Sequence, residues 1–448
     1  MSGLAKVWHQ LGRPVTGSDA KASSRTQHLQ DLGIPVYIGH DPDYVNGASA
    51  VVVTTDVPAD NPELLAAYGR GLPVLHRSEV LASFLNQGRG IAVTGTHGKT
   101  STTSMIGLIL ERAGLDPTIF VGGELPGIGG TGKLGHGQHV VAEACESDGT
   151  FLRYHPWFTV VTNLEPEHLE HYGGQFENLV KAFASYLSQV QPGGRAVLCG
   201  DDPILRRLAA PLTSQAILYG FAPDNEFVAS NLQVEPGRGG GTSFDVLRQG
   251  KLLGRAYLSV PGRHMVLNSI AALAVTLEAG VPFSLAVEVL AAFGNAKRRF
   301  QVVSTEGGIR VVDDYAHHPT EIKATLAAAR ALTQGRVIAV FQPQRYVRTH
   351  NLLHEFSQAF AQSDRLLLTE IYSPPGEPPI PGVSSAVLAD LIRQQDGREV
   401  DLISDRERLV ERCLEIAQPG DTVLVMGAGD IWKAAEELGR RLRQRQAS

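Results

Sequence analysis

The stretch Ile91–Met105, IAVTGTHGKTSTTSM, decides how this sequence is read. Ile91–Thr94 are apolar or β-branched, Gly95 and Gly98 punctuate, and Thr100 opens a helical run through Arg112. A strand that passes through a glycine turn into a helix presents backbone N–H groups at a helix N-terminus, where the peptide dipoles favour an anion. The common phosphate loop, G-x-x-x-x-G-K-[ST], needs a glycine at position 93, and Val93 stands there. Lys99 and Thr100 still occupy the positions such a loop requires, supplying a point charge for phosphate and a hydroxyl able to hold Mg2+. The bland alternative is an ordinary strand–helix turn, against which Gly-Lys-Thr directly after a strand is a specific arrangement.

The chain has 448 residues, enough for two to four domains at roughly 100–200 residues each. Hydrophobic residues make up 43% and charged residues 19%, so large cores can form. The net charge of -6 gives no reason to expect nucleic acid or an acidic membrane surface as a partner. Cys145, Cys199 and Cys413 are too few and too scattered for a disulfide framework or a zinc site, which fits a reducing, cytoplasmic setting. No apolar run approaches the ~20 residues of a membrane helix, and the N-terminus lacks a signal-peptide core. Nothing in the pattern fixes an oligomeric state.

Before the loop, the spacing predicts a helix over 2–12, a strand over 14–19 ending in the carboxylate of Asp19, a helix near 26–32 and strands near 35–38 and 48–55. Helices near 62–68 and 79–85 follow. This is α/β alternation and implies a mostly parallel sheet. After the loop, strands are expected at His139–Ala144, Trp157–Asn163 and Arg195–Gly200, antiparallel hairpins within Gly237–Gly262, and an apolar helix at His264–Gly280. From about Arg299 the strands IRVVDDY, RVIAVFQP, DRLLLTEI and DTVLVMGAG alternate with helices starting near Pro319, Asn351, Ser384 and Asp405, a second doubly wound sheet. Tyr372–Val383 is a Pro-rich loop, and low complexity is confined to GRGGG.

Three clusters carry chemistry. In VAEACESDGTF, Glu143, Glu146 and Asp148 gather at a strand end, natural metal ligands beside a phosphate loop; the alternative is a solvated acidic turn. In TNLEPEHLEHYG, His168 follows another strand and could bind a second metal, although a lone histidine is more often structural; His171 is left without a role. In DDYAHHPTEI and FQPQRYVRT, Tyr315, His317, Arg345 and Arg348 lie in loops at strand carboxyl ends, where ligands bind in such sheets. The guanidinium fork suits carboxylate and phosphate groups. Phosphate could pass to an acid, giving an acyl phosphate that an amine then attacks, a route that needs charge neutralisation and positioning more than a protein nucleophile. On pattern alone this competes with simple ATP hydrolysis and with a kinase.

The motifs GTHGKTSTT, EACESDGTF, TNLEPEHLEHYG, PGRHMVLN, KRRFQ, DDYAHHPTEI and FQPQRYVRT, in this order over nearly the whole chain, resemble those of the Mur ligases, the ATP-dependent amide ligases of peptidoglycan precursor synthesis. The family's phosphate loop is a shortened one, which accounts for Val93. The resemblance implies an α/β protein of three domains: a Rossmann-like UDP-substrate domain over 1–88 with its first strand missing, a central P-loop ATPase-type domain over 89–297, and a Rossmann-like amino-acid domain over 298–448. It implies that L-alanine is joined to the carboxylate of UDP-N-acetylmuramate with ATP and Mg2+. The alternatives are a ligase that recycles a ready-made peptide onto the same sugar acid, and a truncated nucleotide-binding relative without turnover.

By the same resemblance, Gly95, Thr96, His97, Gly98, Lys99, Thr100 and Ser101 form the ATP loop, and Thr100, Glu143 and His168 bind or orient metal. His264 and Asn268 contact the nucleotide. Arg298 or Arg299 sits near the phosphates, Arg299 being the one assigned. Lys99, Glu143, His168 and Arg345 are the catalytic set. Asp19, Tyr315, His317, Arg345 and Arg348 bind substrate. The sequence departs from the family at three places. It opens at MSGLA, inside the family's G-I-G-G-x-G-M-S-G-L-A stretch, so either the start lies upstream or this form binds UDP poorly. Cys145 replaces an aspartate, and Glu167 and Glu170 stand at aspartate positions around His168.

Overall fold

The computed structural model describes residues 1–238, 240–373 and 377–447. Part of the Pro-rich loop (374–376) and one glycine of GRGGG (239) lie outside the described residues. Contacts divide the chain into two compact units. The first comprises Met1–Asn231, Phe244–Tyr257 and Leu267–Ala296, and the second Leu232–Ser243, Leu258–Val266 and Lys297–Ser448.

Ile91, Ala92 and Val93 are wholly buried because their strand, Arg89–Thr94, lies inside a ten-stranded sheet. It runs parallel between His139–Glu143 and Phe158–Val161. On the His139–Glu143 side follow Thr118–Leu125 and the antiparallel edge strand Gly130–Lys133. On the other side follow Arg195–Cys199, Ala216–Gly220, Phe227–Glu235, Gly241–Arg248 and Lys251–Leu258. Burial on both faces explains why the central strands read as continuous apolar runs. It also places the carboxyl ends at Thr94, Glu143 and Val161 side by side along one rim of the sheet. The last two strands are joined by Gln249–Gly250, both at positive φ, which matches the strand twist of a tight hairpin.

Helix Lys99–Arg112 leaves the loop directly and buries Met105, Ile106, Ile109 and Leu110. Helix Phe176–Leu187 buries Leu179, Val180, Phe183, Tyr186 and Leu187, one helical stripe, and Phe151 packs between Phe183 and Tyr186 at ring distances of 5.0 and 4.9 Å.

Residues 1–88 do not form one sheet. Gly17–Asp19 pairs in parallel with Val36–Ile38, and Val51–Val53 with Val74–His76, as two separate ribbons; no described strand joins them. Leu29, Ile34 and Val36 make a small core of their own. The first helix, Ser2–Gln10, is pinned to the edge of the large sheet: Lys6 Nζ donates to Ile128 O at 3.3 Å and Gly129 O at 2.8 Å. Gly3 sits so close to Thr131 that a Cβ would lie 2.6 Å from its carbonyl oxygen.

The second unit contains a six-stranded sheet in the order Gln301–Ser304, Arg310–Asp314, Thr422–Met426, Val337–Phe341, Arg365–Leu368, Val400–Leu402. Only the first pair is antiparallel. The chain's last strand is thus inserted between the first and second parallel strands. The helices begin at Pro319, after Ser384 and after Asp405, as the spacing predicts. The helix expected near Asn351 instead starts at Tyr346, as two short pieces, Tyr346–Asn351 and Leu353–Ser357. The cause is Arg345, whose carbonyl accepts from both the N–H and the hydroxyl of Thr349 and so nucleates the turn early.

Candidate active site

In the first unit the loop is shaped by contacts that only glycine permits. Gly95 has φ 116°, and a Cβ there would lie 2.4 Å from Thr162 Oγ1 and 2.8 Å from Asn163 O. Gly98 has φ 85°, and a Cβ there would lie 2.6 Å from Asn268 Oδ1. Asn268 therefore lies against the loop. Thr162 and Asn163, which the sequence reading did not single out, clamp it. Thr162 Oγ1 donates to His97 O at 2.5 Å and Asn163 Nδ2 to the same oxygen at 3.0 Å, while His97 N donates to Asn163 Oδ1 at 2.9 Å. Thr96 N donates to Asn163 O at 3.0 Å, and its hydroxyl accepts from Glu165 N at 2.9 Å. A threonine and an asparagine directly after an apolar strand were the only signal.

Gly98 caps helix Lys99–Arg112 without a side-chain acceptor, so the first-turn N–H groups have none supplied by the cap. Thr100 is buried at this end, and the Ser101 hydroxyl donates to Asn295 Oδ1 at 3.2 Å. The Lys99 ammonium donates to Gly95 O at 2.5 Å, Thr96 O at 3.0 Å and both Glu146 oxygens at 3.0 Å. Burial alone would lower its pKa; the charges of Glu146, Cys145 and Glu143 outweigh burial and raise it, so the lysine is held as a cation.

Glu143 ends its strand half-buried, with Oε1 accepting from Gly122 N at 2.5 Å. The acidic residues beyond it diverge. Glu146 meets Lys99, and Asp148 accepts from Thr55 Oγ1 at 2.8 Å and from the Thr150 hydroxyl at 2.6 Å. These hydrogen bonds override burial and hold the Asp148 pKa below its ordinary value. Cys145 Sγ lies 3.1 Å from Ser147 Oγ, and burial pushes its thiol pKa up. His168 lies beyond strand Phe158–Val161, at φ 57°, with its Nδ1 3.8 Å from Glu170 Oε1. Asp19 is exposed at the end of its ribbon, accepting from Lys21 N at 3.1 Å.

In the second unit two arginines and a histidine gather at Tyr315. The guanidinium carbons of Arg298 and Arg299 lie 5.1 and 5.2 Å from its ring centroid, and His317 meets it edge-on at 5.1 Å. Arg298 also reaches the loop after the central strand, donating to Gly427 O and, at 3.2 Å, to Gly429 O. That Gly427–Asp430 turn went unremarked in the sequence, although two glycines after a strand mark a close backbone approach. Arg299 lies 3.9 Å from Glu321 Oε1, and His317 N donates to Glu321 Oε2 at 3.0 Å. Asp313 and Asp314 are buried, and burial raises both to about 6 against the opposing charges of Arg298 and Arg299. Arg345 is exposed at φ 69°, left-handed for a non-glycine residue, and its N–H donates to Tyr372 O at 2.9 Å. Arg348 donates to Gln344 Oε1 at 2.5 Å. The His264 ring packs over Gly262, where a Cβ would lie 2.6 Å from its Cε1. Cys145, Cys199 and Cys413 are free thiols. Among the described residues no helix is long and apolar enough to cross a membrane.

Comparison with known proteins fits this layout. Residues 1–89 match the model of the Mur ligase family, catalytic domain; 93–276 the Mur ligase middle domain; and 298–429 the Mur ligase, glutamate ligase domain. The UDP-N-acetylmuramate–L-alanine ligase of Symbiobacterium thermophilum is 56% identical, covering 99% of this chain and 93% of the relative. The crystal structure of UDP-N-acetylmuramate–alanine ligase from Thermotoga maritima superposes with a TM-score of 0.85 at 27% identity, covering 99% and 97% of the two chains. A murein peptide ligase from Psychrobacter arcticus shares the fold, with a TM-score of 0.70 at 23% identity over 99% and 96%. With three family models matched in order and a relative more than half identical along almost its full length, the chain belongs to the Mur ligase family.

Proposed function

We propose that this chain is an ATP-dependent ligase that joins L-alanine to the carboxylate of UDP-N-acetylmuramate, releasing ADP and phosphate, in cytoplasmic peptidoglycan precursor synthesis. The observation that carries the reading is the glycine loop of Gly95–Thr100, clamped by Thr162 and Asn163 at the carboxyl rim of a parallel sheet. The likeness to alanine-adding relatives supports the choice of substrates. The domains are read as 1–88 for the UDP-sugar, with Asp19 among its contacts, 89–297 for ATP and 298–448 for the amino acid.

In this mechanism a carboxylate oxygen of the sugar acid attacks the terminal phosphorus of ATP. The bond from that phosphorus to the bridging oxygen breaks, and ADP leaves with the electron pair. The amine of L-alanine then attacks the acyl carbon, the bond to phosphate breaks, and the nitrogen loses its proton. The chain's part is positioning and charge neutralisation. Loop N–H groups and Lys99 hold the phosphates, with Ser101 at the helix start and His264, Asn268 and Arg299 on the nucleotide. The Thr100 hydroxyl and the Glu143 carboxylate are oxygen donors that suit a hard cation, and His168 would serve a second one. Mg2+ bound there would neutralise phosphate oxygens. Tyr315, His317, Arg345 and Arg348 take the amino acid, whose carboxylate fits a guanidinium fork.

The test is ADP release from ATP with UDP-N-acetylmuramate present, with and without L-alanine. Release that requires both, with an amide product, supports the reading. Turnover only when L-alanine is replaced by a ready-made peptide overturns it in favour of a recycling ligase.

A further inference from the structure

The ammonium of Lys99 has three protons, and all of them are engaged by the protein itself. Gly95 O and Thr96 O take two, and the Glu146 carboxylate, with both oxygens 3.0 Å from Nζ, takes the third. Glu146 is 2% exposed, so little water competes for it. Its place is fixed from behind: the Tyr172 hydroxyl and the Gly149 N–H, at 3.1 Å, both donate to its backbone carbonyl. A phosphate can therefore recruit this lysine only by taking it from a resident anion. We infer that Glu146 is a positioning residue that holds Lys99 folded back on its own loop and surrenders it to the phosphates of an arriving nucleotide.

The inference rests on the reading of Gly95–Thr100 as a nucleotide loop and adds a built-in competitor to it. The exchange has a second consequence. Once Lys99 turns to phosphate, Glu146 is a buried carboxylate deprived of its partner, which is costly. A cation arriving with the nucleotide offsets that cost. Nucleotide and divalent cation then bind in a linked way through Glu146, whether or not Glu146 touches the cation.

The experiment titrates ADP into the full chain by calorimetry, once in EDTA and once in excess Mg2+, comparing the parent with Glu146→Gln. The amide introduced by that substitution would still accept from Lys99, but as a neutral group. Replacing the ion pair by a hydrogen bond from the ammonium to a neutral amide frees the lysine enough to tighten ADP about tenfold in EDTA. The gap narrows in Mg2+. Glu146→Asp, which keeps the charge on a shorter arm, falls between them and guards against a folding defect, monitored by thermal melting. The effect must pass through the lysine, so Glu146→Gln in a Lys99→Met background should change ADP affinity less than about twofold. Equal or weaker ADP binding by Glu146→Gln overturns the inference while leaving the loop reading intact. So does full tightening in the Lys99→Met background, which would make Glu146 a mere repulsive charge. Failure of the parent to bind ADP under either condition overturns the loop reading itself, and the inference with it.

Discussion

A methyl group placed on Gly122 would run into the carboxylate of Glu143. An ideal Cβ there lies 2.7 Å from Oε2 and 3.1 Å from Oε1, inside the 3.4 Å at which ordinary contact begins. The backbone of Gly122 lies outside the left-handed region, so alanine is conformationally acceptable and the conflict is purely steric. The colliding atoms are the end of a flexible side chain, so the fold accommodates them and stability changes by about 1 kcal/mol or less. The carboxylate, however, must swing off the Gly122 N–H that it accepts from at 2.5 Å. The bond is exposed, so water replaces it in the folded chain and the cost falls on where the carboxylate is held rather than on folding. With Glu143 orienting a cation, a displacement of about 1 Å costs on the order of 100-fold in turnover. Gly122→Ala should thus melt with the parent but release ADP far more slowly with saturating UDP-N-acetylmuramate, L-alanine and Mg2+-ATP. Parental melting together with parental kcat would refute the assignment of Glu143.

Lys99→Ala should abolish phosphate release on adding all substrates, and near-normal turnover would remove the loop assignment. Arg345→Ala should mainly raise the KM for L-alanine or slow the amide step; unchanged L-alanine kinetics would take Arg345 out of the pocket. Arg345→Gly should lose the same activity yet stabilise the second unit by about 1 kcal/mol, because glycine accepts the left-handed backbone without strain; a lower melting temperature would contradict that account. Asp313 titrates near 6 when folded, above its ordinary 3.8, so the native state binds its proton more tightly. Its contribution to stability is complete below about pH 4 and is lost as pH rises through about 6. Asp313→Asn should therefore flatten the fall in melting temperature between about pH 4 and about pH 7, and an unchanged slope would reject the burial.

The strand, glycine turn and helix around Gly95–Lys99 were legible because an apolar run stops at two glycines and a helical pattern follows. The clamp on that turn was not. Thr162 and Asn163 act through backbone atoms of His97 and Thr96, and no side-chain chemistry in TN announces that. Strand Thr118–Leu125 escaped notice because its Gly122–Gly123 pair breaks the apolar pattern, yet Gly122 is where Glu143 needs space. In the second unit four of the six strands were readable one by one, but the short strands Gln301–Ser304 and Val400–Leu402 were not, and neither was the order. That Thr422–Met426 separates Arg310–Asp314 from Val337–Phe341 is a long-range pairing, and it is what lets Arg298 reach Gly427 and Gly429. The early helix start after Arg345 was hidden because a left-handed arginine leaves no mark in the sequence.

The two ribbons of residues 1–88 set where this molecule will come apart. A parallel pair three residues long closes very few ladder hydrogen bonds, and such pairs lack independent stability. Amide protons of Ser18, Tyr37, Val52 and Leu75 should therefore exchange with deuterium well before those of Ala92 or Val160. A protease should nick the chain among these segments first, leaving the sheet that bears the glycine loop as the surviving core.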